Sequence, residues 1–113
     1  MERGQPWVKL KIAASLDGAT ALENGISQWI TGNAARLDVQ HWRARSCAIL
    51  TGIGTVLADD PQLNVRDYAI NRQPLKVVVD SRLRLPSAAK VLHDGNLLIA
   101  CIDENTPHGA RLC

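Results

Sequence analysis

Two arginines and a glycine-containing turn have the chemistry needed to bind phosphorylated ligands. Arg43 and Arg66 each carry a guanidinium fork that matches phosphate oxygens, although a lone arginine is more often a surface charge. The segment Gly52-Ile53-Gly54-Thr55 follows an apolar run and opens a helical pattern, so its backbone could approach an anion closely. Leu57 replaces the third glycine of the dinucleotide-binding fingerprint, so a plain strand-to-helix turn remains the simpler interpretation of this motif.

Three further side chains could contact a sugar or a flat ring. Asp59 is followed by Asp60-Pro61, and a carboxylate at a helix C-terminus is electrostatically unfavourable. Such a carboxylate could hold a sugar hydroxyl, although a simple helix stop is the alternative. Lys11 lies on the polar side of a strand pattern, where it is either solvated or donates into a pocket. Trp29 is either a core anchor or a platform for a flat ring.

Other common site chemistries find little support in the sequence. The histidines at 41, 93 and 108 show no metal-ligand spacing, and the three cysteines include no C-x-x-C pair, so no metal is predicted. Ser15 and Ser27 lack a plausible histidine–aspartate relay, which argues against a hydrolase triad. Cys47 and Cys101 lie in apolar runs and are predicted to be buried, reduced thiols.

Composition describes an ordinary globular chain of one domain. The 113 residues are 46% hydrophobic and 21% charged, with a formal net charge of +2. So small a charge, spread along the chain, predicts neither nucleic-acid nor membrane binding. No apolar run approaches the roughly 20 residues of a membrane span, and the first residues lack a signal-peptide core, so we expect a cytoplasmic protein.

The elements that must position these side chains follow from periodicity and turn residues. Alternation at Val8, Leu10 and Ile12 predicts a strand over 7–14. One helix is predicted over 33–46, and a second over 56–59, after the glycine turn, with Thr55 as its N-cap. The remaining predictions are turns at 17–18, 23–25 and 94–96 and buried strands over 47–50, 75–79 and 97–102.

The longer helix is predicted to be amphipathic. Ala35, Val39 and Trp42 share one face, whereas Gln40 and Arg43 lie off it. Strands separated by helices and short crossovers predict an α/β fold with a largely parallel sheet. No covering helix follows the last strand pattern, so we expect the chain to be incomplete at its C-terminus.

Taken in order, the motifs closely resemble a known family. They resemble the reductase domain of the RibD family of bacterial bifunctional riboflavin-biosynthesis proteins over roughly residues 6–102. Each motif alone is weak, and their combination is specific. The motifs are KIAASLDG at 11–18, SQWIT at 27–31, GTVLADDP at 54–61, LNVR at 63–66 and VDS at 79–81.

The resemblance implies a dihydrofolate-reductase-like α/β fold with a mostly parallel sheet and flanking helices. It implies NADPH-dependent reduction of 5-amino-6-(5-phosphoribosylamino)uracil to its ribityl product, a small-molecule substrate, and a homodimer in the full-length form. It implies catalytic roles for Lys11 and Asp59. The implied cofactor-binding positions are Ala13, Trp29, Thr55, Asp59 and Ser81, and the implied substrate-binding positions are Ser27, Arg43, Leu63 and Arg66.

Departures from the family pattern leave alternatives open. The H-x-E and P-C-x-x-C motifs of the deaminase domain are absent, so residues 1–113 are expected to form only the first half of the reductase domain. The glycine-rich second half that contributes to the cofactor site is not in the sequence. One alternative is another dihydrofolate-reductase-like NADPH reductase. Another is an inactive, truncated nucleotide-binding fragment.

Overall fold

The computed structural model describes residues 4–26 and 31–102. Within these ranges the regular structure consists of three short parallel strands, two helices and one short 3-10 turn. The chain divides into two compact units, Met1–Arg36 and Leu37–Cys113. In chain order the elements are α1 (Asn33–Arg45), β1 (Ala48–Gly52), α2 (Ile53–Asp59), β2 (Leu75–Val79), the 3-10 turn Lys90–Leu92 and β3 (Leu97–Ala100).

The sheet of the second unit has the order β1-β2-β3, and both pairings are parallel. The prediction of a parallel α/β sheet is therefore confirmed, and β2 has the predicted bounds. Register places Val77 opposite Leu50 on one side and Leu98 on the other. Because side chains alternate along a strand, these three side chains lie on the same face of the sheet.

The core lies on the opposite face of the sheet. Val78 is fully buried there, and Ile49, Leu97 and Ile99 pack against the core from the neighbouring strands. Helix α2 and the segments that follow α2 and β2 supply the other apolar side chains. The buried core cluster comprises Ile53, Val56, Leu63, Val78, Leu85, Ala89 and Val91.

The first sheet face carries apolar side chains that stay exposed. Leu50 is 68% exposed, Leu98 49% and Val79 41%. The prediction of three buried strands, over 47–50, 75–79 and 97–102, is therefore wrong for this face. Alternation decides the result, since only the side chains that point toward α2 and its neighbouring loops are covered. Cys47, which directly precedes β1, is exposed as well, contrary to the prediction.

The predicted strand over 7–14 does not form in the first unit. These residues have no regular secondary structure, and Val8, Leu10 and Ile12 are exposed. Alternation supplies only a potential strand, and no described strand pairs with this segment to complete a hydrogen-bonded ladder. The predicted turns do form, with positive φ at Gly18 and Gly25.

Helix α1 confirms the predicted helix, but only Val39 of its predicted apolar face is partly covered. Ala35 and Trp42 are exposed, whereas Gln40 and Arg43 are half-buried beside Val39. A polar side chain can lie at a covered face when it hydrogen-bonds to the backbone of a neighbouring loop, as both Gln40 and Arg43 do here. None of the described helices is long and apolar enough to cross a membrane.

Candidate functional site

The two predicted phosphate-binding arginines come together where α1 meets the loop after α2. Arg43 lies in the last turn of α1, and its Nη1 donates to the backbone oxygen of Asn64 at 3.2 Å. The backbone N–H of Arg66 donates to Gln40 Oε1 at 2.9 Å. Gln40 and Arg43 are three residues apart and share a helix face, so α1 forms two hydrogen bonds with the backbone of this loop.

The electrostatics of this arginine pair favour an anion. Burial lowers the pKa of the Arg43 guanidinium, and the positive charge of Arg66 lowers it further. Arginine remains protonated in spite of such shifts, so Arg43 keeps a positive charge that the charge of Arg66 repels. Among the described residues neither guanidinium forms an ion pair with a carboxylate. The carboxylate of Asp94, from the segment before β3, accepts a hydrogen bond from Asn64 Nδ2 at 3.3 Å.

Leu63, the third predicted substrate residue, lies in the same loop but points inward. Its side chain is part of the buried core, and its backbone has a positive φ of 52°. Leu63 and Val65 anchor the loop through the core, which leaves Asn64 half-buried and Arg66 exposed. A ligand would therefore meet the backbone of Leu63 and not its side chain.

Two of the predicted cofactor residues lie at the carboxyl edge of the sheet. Gly52 ends β1 opposite Val79 of β2, so the first turn of α2 and the turn after β2 share this edge. Thr55 and Ser81 are exposed there. The helix begins at Ile53 with Gly52 as its N-cap, so the prediction of Thr55 as N-cap is wrong. A glycine cap needs no side chain, because the extended backbone of Gly52 already lets the helix start.

Asp80 fixes the turn that presents Ser81. Its side chain is fully buried, and Oδ2 accepts the backbone N–H of Leu85 at 2.8 Å. Its own backbone N–H donates to Ala100 of β3 at 2.9 Å. Leu83 and Leu85 of the same segment are buried. The segment from Ser81 to Leu85 is therefore held firmly against the end of the sheet.

Helix α2 separates the cofactor residues from the arginine pair. Its seven residues span about 10 Å, with Thr55 in the first turn and Asp59 at the other end. The loop beyond α2 reaches the amino ends of β2 and β3, since Val65 bonds to Gln73 and Asn64 to Asp94. The predicted residues of the second unit thus form two groups at opposite edges of the sheet.

Asp59, a predicted catalytic residue, and its neighbour Asp60 have different environments. Asp60 ends α2 in the left-handed conformation, and its carboxylate accepts the backbone N–H of Lys90 at 2.8 Å. It also faces the Lys90 ammonium at 3.6 Å. Asp59 is exposed at the end of the helix. The structure therefore explains Asp60 as a tie between two segments and leaves Asp59 available to a ligand.

The remaining predicted site residues lie in the first unit or outside the described part of the chain. Lys11 is exposed and Ala13 half-buried, both in a segment without regular structure. Ser27 and Trp29 lie outside the described residues. No cluster of potential metal ligands occurs within the described ranges.

Sequence reasoning missed the uncharged polar residues that hold the site loops. Gln73 pairs with both the N–H and the oxygen of Val65, at 2.8 and 3.1 Å, and Gln40 accepts from Arg66. Only one signal was available beforehand, namely that Gln40 precedes Arg43 by three residues on a helix. Gln73 carries no such signal, because its partner lies eight residues away in an irregular loop.

Comparison with known sequences decides the family. Residues 6–109 match the family described as the RibD C-terminal domain. The chain belongs to the RibD C-terminal domain family. A RibD protein of Bacillus amyloliquefaciens is 52% identical over 95 residues, which cover 84% of this chain and 26% of that protein. A RibD protein of Escherichia coli is 45% identical over 104 residues, covering 81% of this chain and 28% of that protein.

Solved RibD structures share the fold. A RibD structure from Acinetobacter baumannii superposes with a TM-score of 0.82 at 48% identity, covering 99% of this chain and 33% of that one. A Thermotoga maritima protein described as a diaminohydroxyphosphoribosylaminopyrimidine deaminase/5-amino-6-(5-phosphoribosylamino)uracil reductase gives 0.75 at 33% identity, covering 86% and 29%. The fold is the dihydrofolate-reductase-like α/β fold of RibD reductase domains. The chain spans about a quarter to a third of the length of these RibD proteins.

Proposed function

We propose that this chain contributes part of the active site of a reductase that converts 5-amino-6-(5-phosphoribosylamino)uracil to its ribityl product in riboflavin biosynthesis. The match of residues 6–109 to the RibD C-terminal domain carries the proposal. The name of the Thermotoga maritima relative includes this reductase activity. The paired arginines on α1 and its neighbouring loop are the local feature that supports a phosphorylated substrate.

The substrate phosphate is assigned to Arg43 and Arg66. Both guanidinium groups are positively charged, and neither has a carboxylate partner among the residues that the structure describes. A phosphate would relieve the repulsion between them and accept charge-assisted hydrogen bonds from both forks. Ser27 and the backbone of Leu63 complete the proposed substrate contacts. This arrangement favours a phosphosugar over a pterin, for which an acidic residue on the early strand–helix segment would be expected.

The reductant is proposed to be NADPH. Thr55 and Ser81 fit it chemically, because exposed hydroxyls at the carboxyl edge of a parallel sheet suit the sugar and phosphate oxygens of a nucleotide. Ala13, Trp29 and Asp59 are the other proposed contacts. When bound, NADPH supplies the hydride that the sugar carbon C1′ accepts.

Lys11 and Asp59 are proposed to act at the reacting sugar. Opening of the ribosyl ring gives an imine, whose carbon gains the hydride and whose nitrogen gains a proton to become the amine of the ribityl product. Lys11 donates a hydrogen bond to the ring-opened form and makes it a better hydride acceptor. Asp59 orients a sugar hydroxyl from the end of α2.

The proposal also includes the cellular compartment and the oligomeric state. The substrate is a small molecule in the cytoplasm, and the full-length protein is a homodimer. Another dihydrofolate-reductase-like NADPH reductase is the alternative enzyme. A fragment that binds the phosphosugar without turning it over is the alternative that is not an enzyme.

The test compares the phosphorylated substrate with its dephosphorylated analogue. Binding of each is measured by calorimetry, and turnover by NADPH oxidation, for the unaltered chain and for Arg43→Gln and Arg66→Gln. A hydrogen bond to a charged group contributes about 1.5–3 kcal/mol to binding. Each variant loses such a bond and should therefore bind the phosphorylated compound at least about tenfold more weakly. Affinity for the dephosphorylated analogue should change little.

Arg72→Gln is the matched control, since Arg72 is an exposed arginine in the same unit. It should leave both affinities unchanged. If all three variants weaken binding of the phosphorylated compound equally, Arg43 and Arg66 contribute only general positive charge and do not form a specific phosphate site. Oxidation of NADPH with dihydrofolate but not with the phosphosugar would favour the alternative enzyme, and phosphosugar binding without turnover would favour the binding fragment.

A further inference from the structure

The backbone around Arg66 is held by side chains from other elements. Val65 exchanges two hydrogen bonds with the Gln73 amide, at 2.8 Å from its N–H and 3.1 Å to its oxygen. The neighbouring Arg66 N–H donates to Gln40 Oε1 at 2.9 Å, and the Asn64 oxygen accepts from Arg43. Three consecutive residues of an irregular loop are therefore fixed by specific side-chain hydrogen bonds.

Gln40 occupies a special place among these contacts. It is half-buried on the same face of α1 as Arg43, one helical turn earlier. Arg43 thus lies on the helix that also holds the backbone of Arg66, so one rigid element sets the position of Arg43 and of the Arg66 backbone. A site for a bidentate anion needs this kind of support, since its donors must keep a fixed separation.

We infer that Gln40 is a positioning residue for anion binding, because its amide oxygen fixes the Arg66 backbone relative to Arg43. The inference rests on the proposed function, in which the arginine pair binds the substrate phosphate. An amide suits the position because its oxygen accepts the Arg66 N–H without carrying a charge. A carboxylate there would attract the guanidinium groups and compete with the phosphate.

The role predicts separate effects for two substitutions at this position. Gln40→Ala removes the acceptor, which should free the Arg66 N–H and loosen the arginine pair. Gln40→Glu keeps an acceptor oxygen but adds a negative charge, which should retain the loop geometry while weakening anion binding. A side chain that only stabilised the helix would not separate these two effects.

The experiment uses ¹⁵N NMR on the 113-residue chain titrated with ribose 5-phosphate and, separately, with ribose. Two quantities are followed, namely hydrogen exchange of the Arg66 backbone amide and the ratio of the two affinities. Gln40→Ala should speed Arg66 exchange about tenfold and lower the affinity ratio about five- to tenfold. Gln40→Glu should lower the ratio with Arg66 exchange nearly unchanged.

Leu37→Ala is the matched control, because Leu37 is an exposed residue on the same helix. It should change neither quantity. If Gln40→Ala leaves Arg66 exchange unchanged, or if Gln40→Glu speeds it as much as the alanine variant does, the inference is overturned.

A fourth variant, Arg43→Gln, keeps this inference distinct from the proposed function. If Arg43→Gln does not weaken binding of ribose 5-phosphate, or if the unaltered chain does not bind it, the proposed phosphate site fails. The Arg66 exchange data still decide whether Gln40 holds the loop. If Arg43→Gln weakens binding but Gln40→Ala does not change the affinity ratio, the phosphate site stands and the role of Gln40 is rejected.

Discussion

Buried polar side chains organise the ends of the central strand at the scale of single residues. Lys76 is only 2% exposed on the core side of β2, and its Nζ donates to the backbone oxygen of Val91 at 2.5 Å. Asp80 is fully buried just after the same strand. A polar group is tolerated in such a place when it hydrogen-bonds to backbone groups that would otherwise lack a partner. Both residues therefore tie irregular segments to the sheet.

Substitution of Asp80 tests this role. Asp80→Ala removes the carboxylate oxygen that accepts the Leu85 N–H, so the free energy of unfolding should fall by about 1–3 kcal/mol. Asp80→Asn retains an acceptor oxygen and should lose clearly less. Urea unfolding measures both values. Equal losses in the two variants would mean that the negative charge, and not the hydrogen bond to Leu85, is the important property.

The ion pair of Asp80 with Arg84 is long, at 4.0 Å, and partly exposed, so Arg84→Ala should have little effect on the free energy of unfolding.

The turn at Ser15–Ala19 makes a second prediction at this scale, concerning pH. The Ser15 hydroxyl donates to the Asp17 carboxylate, and this bond, together with backbone N–H groups, holds the pKa of Asp17 below its ordinary value of 3.8. Since the folded pKa is lowered, the stabilisation of the turn is fully present above pH 3.8. It is lost as the pH falls through the lower folded value.

An NMR titration of the Asp17 carboxyl carbon checks this expectation. The unaltered chain should titrate below 3.8, and Ser15→Ala should move the midpoint up toward that value. A midpoint that does not move in the variant would show that the serine hydroxyl is not the main cause.

Irregular loops, and not only helices and strands, set the site at the scale of elements. The loop with Leu63 and Arg66 has its apolar side chains in the core and its backbone groups bonded to side chains of α1 and Gln73. Such a loop keeps its conformation without a ladder of its own. Helix α1 therefore contributes polar contacts on a face that apolar periodicity does not indicate.

Gln73→Ala tests the contribution of the amide to this loop. The variant loses two hydrogen bonds to Val65, so the free energy of unfolding should fall by about 1–3 kcal/mol. Arg72→Ala, at the exposed neighbouring position, should stay within about 0.5 kcal/mol of the unaltered chain. Thermal or urea denaturation gives both numbers. If Arg72→Ala lowers the free energy of unfolding as much as Gln73→Ala does, the two hydrogen bonds to Val65 are not the cause of the loss.

The two faces of the sheet differ at the scale of the whole molecule. One face packs on α2 and the core, while the other displays Leu50, Val79 and Leu98. Exposed apolar strands of this kind are an association hazard. The relatives are three to four times longer than this chain, in keeping with the fractions of their length that it covers.

Adjacent valines in β2 provide a matched test of this asymmetry. Val78 is fully buried and Val79 is 41% exposed, although the residue type and strand are the same. Val78→Ala should lower the free energy of unfolding by about 2 kcal/mol, because it removes two buried methyl groups and leaves a cavity. Val79→Ala should lower it by less than about 1 kcal/mol. Similar losses at both positions would show that the Val79 face is covered in solution.

The sequence by itself determined the positions of α1, β2 and the turns, and it pointed to the RibD family. Local rules suffice for these features. Apolar runs, glycine and asparagine turns, and an uninterrupted helical segment each act within a few residues. The order of the motifs from Lys11 to Ser81 likewise needs no coordinates, since it is a property of the chain.

Only the tertiary structure decided which faces are covered and which residues meet. The failed strand at 7–14 had the right alternation, but a strand exists only when another strand bonds to it. The contact of Gln40 with Arg66 joins residues 26 apart in the chain, and no local pattern encodes such a distance. Burial on one face of the sheet, and the pairing of two arginines, depend on how the elements pack, which is why the sequence alone left them open.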